Sequence, residues 1–164
     1  MIRQAKVADA QQLIKLAEQL AHETDFMLRE VGEEVLSLAA QEALLSDFVA
    51  HGNKVFFVLE KQDQIVGLCV GSGGVARRNK HNLYCVMGIL QSHTGQGFGR
   101  ALLNQLEEWA KAAEFTRLEL TVMMHNDIAR RLYLSFGFEE EGIKRRSLYI
   151  KGQYVDEVYM SKLL

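Results

Sequence analysis

The segment His93-Thr94-Gly95-Gln96-Gly97-Phe98-Gly99-Arg100 decides how the rest of the chain reads. An apolar run, Leu83-Tyr84-Cys85-Val86-Met87-Gly88-Ile89-Leu90, precedes it. Apolar residues follow at helical spacing: Phe98, Leu102, Leu106, Trp109 and Ala113. The glycines at 95, 97 and 99 therefore fall where a strand turns into a helix. Glycine admits positive φ and lets a ligand come close to the backbone. The first turn of a helix carries unpaired N–H groups and the positive end of its dipole. Together these make an anion site suited to phosphate or pyrophosphate. One glycine would read as a flexible turn, whereas three at alternate positions before an amphipathic helix favour a cradle.

Two common nucleotide motifs fail on residue identity. The dinucleotide fingerprint Gly-x-Gly-x-x-Gly needs a third glycine where Arg100 or Leu102 stands, and no Gly-Lys-Ser/Thr of a Walker A loop exists. The turn also lies past the middle of the chain, while a dinucleotide site usually opens its domain.

The pattern resembles the acyl-CoA-binding motif of the GNAT superfamily of N-acetyltransferases, Gln/Arg-x-x-Gly-x-Gly/Ala between a strand and a helix. It maps onto Thr94-Gly95-Gln96-Gly97-Phe98-Gly99, with Thr94 where Gln or Arg is usual. Downstream, Asn126-Asp127-Ile128-Ala129-Arg130-Arg131-Leu132-Tyr133-Leu134-Ser135-Phe136-Gly137-Phe138 is similar to the family's second signature. The resemblance covers nearly the whole chain. It implies an acyl-CoA N-acyltransferase fold and acetyl-CoA as cosubstrate.

At 164 residues the chain is expected to form one domain over 1–164. Hydrophobic content of 48% and charged content of 24% suit a soluble globular protein. A formal net charge of −2 argues against a general nucleic-acid footprint. Cys69 and Cys85 sit in apolar runs and read as buried, reduced thiols of a cytoplasmic protein. The first residues lack the apolar stretch of a signal peptide, and no apolar segment reaches the ~18 residues of a membrane span. The histidines and cysteines show no metal-ligand spacing, so no metal is expected.

Taken in order, residues 1–6 read as a first strand. Asp9 with Gln12 resembles a capping box opening a helix that carries Ala10, Leu13, Ile14, Ala17, Leu20 and Ala21. A second helix is expected from about Glu33 to Val49, on Val35, Leu36, Ala39, Ala43 and Phe48, closed by a left-handed Gly52. Residues 55–59 and 65–70 form a hairpin about the turn 61–64. A basic loop holds Arg77, Arg78 and Lys80. After the helix at about 97–113 come a strand at 117–122, a helix from Asn126 to Phe136 ended by Gly137, and two closing strands flanking Lys151-Gly152. The order β-α-α-β-β-β-α-β-α-β-β predicts an α/β class: a mixed, mostly antiparallel central sheet with helices on both faces.

If the ligand is acetyl-CoA, four tasks follow. Holding the pyrophosphate falls to backbone N–H groups of Gly95, Gln96, Gly97, Phe98, Gly99 and Arg100. The Arg100 side chain either adds charge or lies on a solvated helix face. Polarising the thioester carbonyl needs aimed donors. In the family these are strand N–H groups before the loop, which by position are Met87, Gly88 and Ile89; Gly88 also suggests a bulge or close approach. The resemblance makes Tyr133 the proton donor to the departing sulfur. A phenol, with a reference pKa of ~10, keeps its proton at neutral pH. Helical spacing alone would equally make Tyr133 a core residue. Asn126 reads as an N-cap, and the family also uses it on the CoA arm.

The base is less legible. Thr121 stands where some relatives place Glu; Glu119, His81, His93, His125 and a water chain stay open. Glu30, Glu33, Glu34, Asp156 and Glu157 either attract a cationic amine or are simply solvated. The acceptor is expected to be a small amine or a protein N-terminus, attacking directly in a ternary complex. Homodimers are common in the family. A non-catalytic CoA-binding sensor and a module binding ATP or NAD are the competing readings.

Overall fold

The structure, a computed structural model, describes residues 1–33 and 36–164. Strand β1 (Ile2–Gln4) leads through a short 3-10 turn into α1 (Ala10–Glu23) and α2 (Leu38–Ala50). Strands β2 (Lys54–Lys61), β3 (Gln64–Gly73) and β4 (Asn82–Ile89) follow. After α3 (Phe98–Ala112) come β5 (Arg117–Met123), α4 (Asp127–Phe136), β6 (Glu139–Ile150) and β7 (Gln153–Leu163). This is the expected order. The strands form one sheet in the order β1-β2-β3-β4-β5-β7-β6, in which β4 and β5 alone pair in parallel among the described residues.

Several elements follow from local chemistry. Gln62 and Asp63, both at positive φ (48° and 60°), form the two-residue turn of the β2–β3 hairpin, which matches the twist of antiparallel strands. Asn126 caps α4 by accepting from the Ala129 N–H at 3.3 Å, and Gly137 at φ 98° ends the helix.

Three local expectations are corrected. The Asp9 carboxylate does not cap α1, because Arg3 takes both its oxygens at 2.7 and 2.9 Å and the Lys6 N–H donates at 2.7 Å. Gln12 instead accepts from the Ile65 N–H at 3.0 Å. Helix α2 starts at Leu38 because Ser37 accepts from the Ala40 N–H at 3.2 Å. It ends on His51 in extended conformation, so Gly52 need not be left-handed and is not. Glu34 and Val35, which the sequence reading used, lie outside the described residues.

Helices cover both faces of the sheet. A Cβ at Gly88 would stand 3.0 Å from Leu20 of α1, whereas the flanking Met87 and Ile89 pack on the opposite face beneath Gly99 of α3. Leu102, Leu103 and Leu106 of α3 are fully buried in the same core as Leu83 of β4 and Leu118 of β5. Gly71 of β3 sets the depth at which α3 seats, since a Cβ there would lie 2.9 Å from Leu83 and 3.0 Å from Leu106. Gly71→Ala is expected to destabilise by about 1–3 kcal/mol through overpacking, read as a lower urea midpoint. An unchanged midpoint would show that the two leucines can retreat. No helix among the described residues is long and apolar enough to cross a membrane.

Candidate active site

The two halves of the sheet part in the middle. Strand β4 pairs with β5 only at Asn82, Leu83 and Tyr84, opposite Arg117, Leu118 and Glu119. Both strands then run on without each other, to Ile89 and Met123. Along this stretch β4 stays in unbroken register with β3. Backbone polar groups alternate sides along a strand. The Leu90 N–H donates to Val66 of β3, and the Asn82 carbonyl accepts from Gly74 at the end of β3, while the His81 carbonyl accepts from Thr116 on the β5 side. Even-numbered residues of β4 therefore face β3. The N–H groups of Met87 and Ile89 face the opening.

Gly88, expected as a third donor, is corrected by the same alternation: its N–H is turned to β3. Its register carries no bulge. The close approach is real, though, since Leu20 and Met27 press on the face of Gly88 where a side chain would stand.

The glycine turn lies directly beyond the open edge. Gly95 and Gly97 have φ of 72° and 82°, with no heavy atom within 4 Å of where a Cβ would be. Gly97 is the left-handed N-cap of α3 and has no side chain to satisfy the helix end. Among the described residues the N–H groups of 95–100 find no acceptor. The turn's side chains brace it from behind: Gln96 donates to the Ser92 carbonyl at 3.1 Å and Thr94 to that of Gln91 at 2.9 Å. Phe98 anchors the helix start under the Lys61 ammonium, 4.6 Å from the ring centroid.

Gly99 differs from its neighbours. A Cβ there would come within 2.8 Å of Leu132, so this glycine lets α4 pack on α3. The Arg100 guanidinium donates to the carbonyl and hydroxyl of Ser135 at 3.1 and 2.9 Å, so its charge is directed to α4 and its backbone N–H stays in the turn.

Tyr133 projects from α4 into the core, 8% exposed, with its ring 5.5 Å from that of Phe138. Its hydroxyl has no hydrogen-bond partner among the described residues and is not fully enclosed. Burial raises its pKa, with smaller contributions from Cys69, Cys85 and Tyr84 nearby, which keeps the phenol protonated. The Asn126 side-chain oxygen is used in capping, while its amide N–H groups have no partner among the described residues.

Burial also pushes the Cys85 thiol up to about 12 and raises that of Cys69. All three groups are neutral in the folded protein. Their folded pKa values lie above the unfolded ones, roughly 8.5 for a thiol and 10 for a phenol. The resulting stability is complete below about pH 8.5 and is lost as pH rises towards the folded values. The urea midpoint is expected to fall between pH 7.5 and 10.5 at fixed temperature; a flat profile would contradict burial of these groups.

On the other face, a cavity of about 420 Å³ is lined in part by Met27, Met123, Leu148 and Tyr149. Met27 also lies against Gly88 of β4, and Met123 ends β5, so this cavity abuts the opening. Lys151, in the β6–β7 turn, closes its rim by an ion pair to Asp25 at 2.6 Å. Tyr84 and Thr121 join their hydroxyls at 2.9 Å across the point where the strands part. Glu119 is held by Arg117 at 2.8 Å, which also binds Glu141. His93 contacts Ser92, His125 packs on Phe26, and His81 is exposed. No group of three His, Cys, Asp or Glu among the described residues could hold a metal. Sequence reasoning missed Met27, Met123 and the Tyr84–Thr121 pair, because nothing local marks side chains that meet only through sheet register.

Comparison with known proteins places this geometry. The chain is 31% identical over 91 residues to N-alpha-acetyltransferase RimI of Mycobacterium tuberculosis, covering 52% of this chain and 55% of that protein. It is 33% identical over 64 residues to L-amino acid N-acetyltransferase AaaT of Escherichia coli, covering 39% and 38%. The matches thus span about half or less of these curated relatives. Over its full length the chain superposes on the crystal structure of a GNAT-family acetyltransferase from Streptococcus pneumoniae, with TM-score 0.96, 29% identity and 99% of that chain covered. The model of the acetyltransferase (GNAT) family matches residues 19–138, which take in the open strand edge, the glycine turn and α4, and the chain belongs to that family.

Proposed function

We propose that the protein is an acetyl-CoA-dependent N-acetyltransferase that acts on a primary amine, working as one unit over residues 1–164 in the cytoplasm. The observation that carries this reading is the unsatisfied row of N–H groups at 95–100, continuous with the free edge of β4. Anions bind such helix starts, and an extended amide-bearing arm fits an unpaired strand edge. Acetyl-CoA supplies an acyl group activated as a thioester. The turn holds its diphosphate, the N–H groups of Met87 and Ile89 face its carbonyl oxygen, and the Asn126 amide is free to contact its arm. Tyr133 stands ready to protonate the thiolate. The cavity beside Met27 and Met123 receives the amine, either a small molecule or a peptide N-terminus. The two free, buried thiols suit a reducing compartment and stay out of the chemistry.

Thiol release from acetyl-CoA, measured against a panel of free amino acids, polyamines and short peptides, tests the reading. Amine-dependent release with an N-acetylated product is expected. Binding of acetyl-CoA without release for any amine would instead mark a sensor.

A further inference from the structure

Besides the Tyr133 phenol and the two cysteine thiols, four polar or charged residues among those described are buried: Asp9, Gln41, Glu157 and Ser161. Buried carboxylates normally hold several hydrogen bonds. Asp9 does, through Arg3 and Lys6. Glu157 does not. At 9% exposure its carboxylate has a single partner among the described residues, the Lys144 ammonium of β6 at 3.5 Å.

Its position explains why such a group is useful. In β7, Glu157 pairs directly with Met123 of β5. Opposed residues of an antiparallel pair share a face, with Cβ atoms roughly 5 Å apart. Met123 lines the 420 Å³ cavity and ends the strand that forms one side of the opening. Glu157 therefore sits beside Met123 where β5 ends at the opening, next to the cavity wall rather than on it. Of the other carboxylates nearby, Glu119 is held by Arg117, Asp25 by Lys151, Asp156 by the Arg146 N–H at 2.7 Å and Glu33 by the Glu30 N–H at 3.0 Å, while Glu30, on the cavity wall, is exposed to solvent and lacks the burial that sets Glu157 apart. Thr121 carries no charge and is tied to Tyr84.

We infer that Glu157 is the group that anchors the acceptor's ammonium and takes its first proton. The inference rests on the acetyltransferase reading above. The R–NH₃⁺ gives one proton to the Glu157 carboxylate. The freed nitrogen lone pair forms the C–N bond to the thioester carbonyl carbon, and the C–S bond breaks with its electron pair left on sulfur. The second proton lost by nitrogen goes to the thiolate, by way of Tyr133, and Glu157 returns its own proton to solvent. The products are the N-acetylamide, CoA thiol and one proton.

The test has two arms, both on the full chain. In the first, Glu157→Gln, close in shape, is expected to lower amine-dependent thiol release about 100-fold, the scale of a lost proton-transfer group. The acetyl-CoA dissociation constant should stay within twofold. Loss with Glu119→Gln, and none with Glu157→Gln, would overturn the assignment. The second arm needs no turnover. In CoA-loaded protein with ¹³C-labelled glutamate, the Glu157 carboxyl resonance, assigned by its absence in Glu157→Gln, should move on titration with glycinamide or n-butylamine. If wild type releases no thiol, the acetyltransferase reading fails and this arm alone decides Glu157. A resonance that ignores both amines would overturn the ammonium site.

Discussion

Gly95→Asp is expected to abolish tight binding of acetyl-CoA while leaving the fold standing. Gly95 is left-handed at φ 72°, and a side chain added there meets no atom within 4 Å. Asp is among the residues that visit this conformation at modest cost, about 1 kcal/mol. The unliganded melting temperature should therefore drop by only about 2–4 °C. The carboxylate, however, would project over the N–H groups proposed to hold a diphosphate. Repulsion between such charges at roughly 6 Å and intermediate dielectric is on the order of 2–3 kcal/mol. The acetyl-CoA dissociation constant should rise about 100-fold. Gly95→Asn, alike in shape and uncharged, should lose far less. Equal affinity of the Asp and Asn variants, measured by calorimetry, would take the diphosphate away from this turn.

Tyr133→Phe carries the second large effect. The ring would keep its place beside Phe138, so the substitution removes an oxygen and little packing. Burial holds the phenol neutral, so across the physiological range it has a proton to give. Its loss should lower kcat about 100-fold, the usual size of a general acid's contribution. The acetyl-CoA dissociation constant should stay within twofold, because the proposed binding groups are the backbone N–H groups of β4 and the glycine turn and the Asn126 amide, none of which the substitution alters. An unaltered kcat would leave Tyr133 as a core residue with an open hydroxyl. A fall in affinity equal to the fall in kcat would make its role one of binding.

The parts that were legible in the sequence are those governed by nearest neighbours. Asn126 and Gly137 mark the ends of α4 because caps are local, and Gln62-Asp63 marks a hairpin because a two-residue turn has few solutions. The glycine turn belongs to the same class, since positive φ at Gly95 and Gly97 and a missing cap are properties of six consecutive residues. What escaped depends on distant chain. Gly99 and Gly88 look like further pieces of a ligand cradle until Leu132, Leu20 and Met27 arrive beside them. Arg100 looks available for phosphate until Ser135 accepts it. Asp9 looks like a cap until Arg3 claims it. The burial of Glu157 and its pairing with Met123 come from strand register across a sheet, which no window along one strand contains.

The parting of β4 from β5 has a mechanical side. Among the described residues the halves β1–β4 and β5–β7–β6 share main-chain bonds only at the end holding residues 81–84, and the link between them runs through the long α3 crossover. Late, non-local pairing of this kind closes slowly during folding. It also leaves residues 85–89 of β4 and 120–123 of β5 without bonds to each other in the finished sheet. A guest lying in that gap would work as a splint across it. Amide hydrogen exchange at Met87, Ile89 and residues 120–123 should therefore slow on loading far more than exchange in the outer β1–β2 pair.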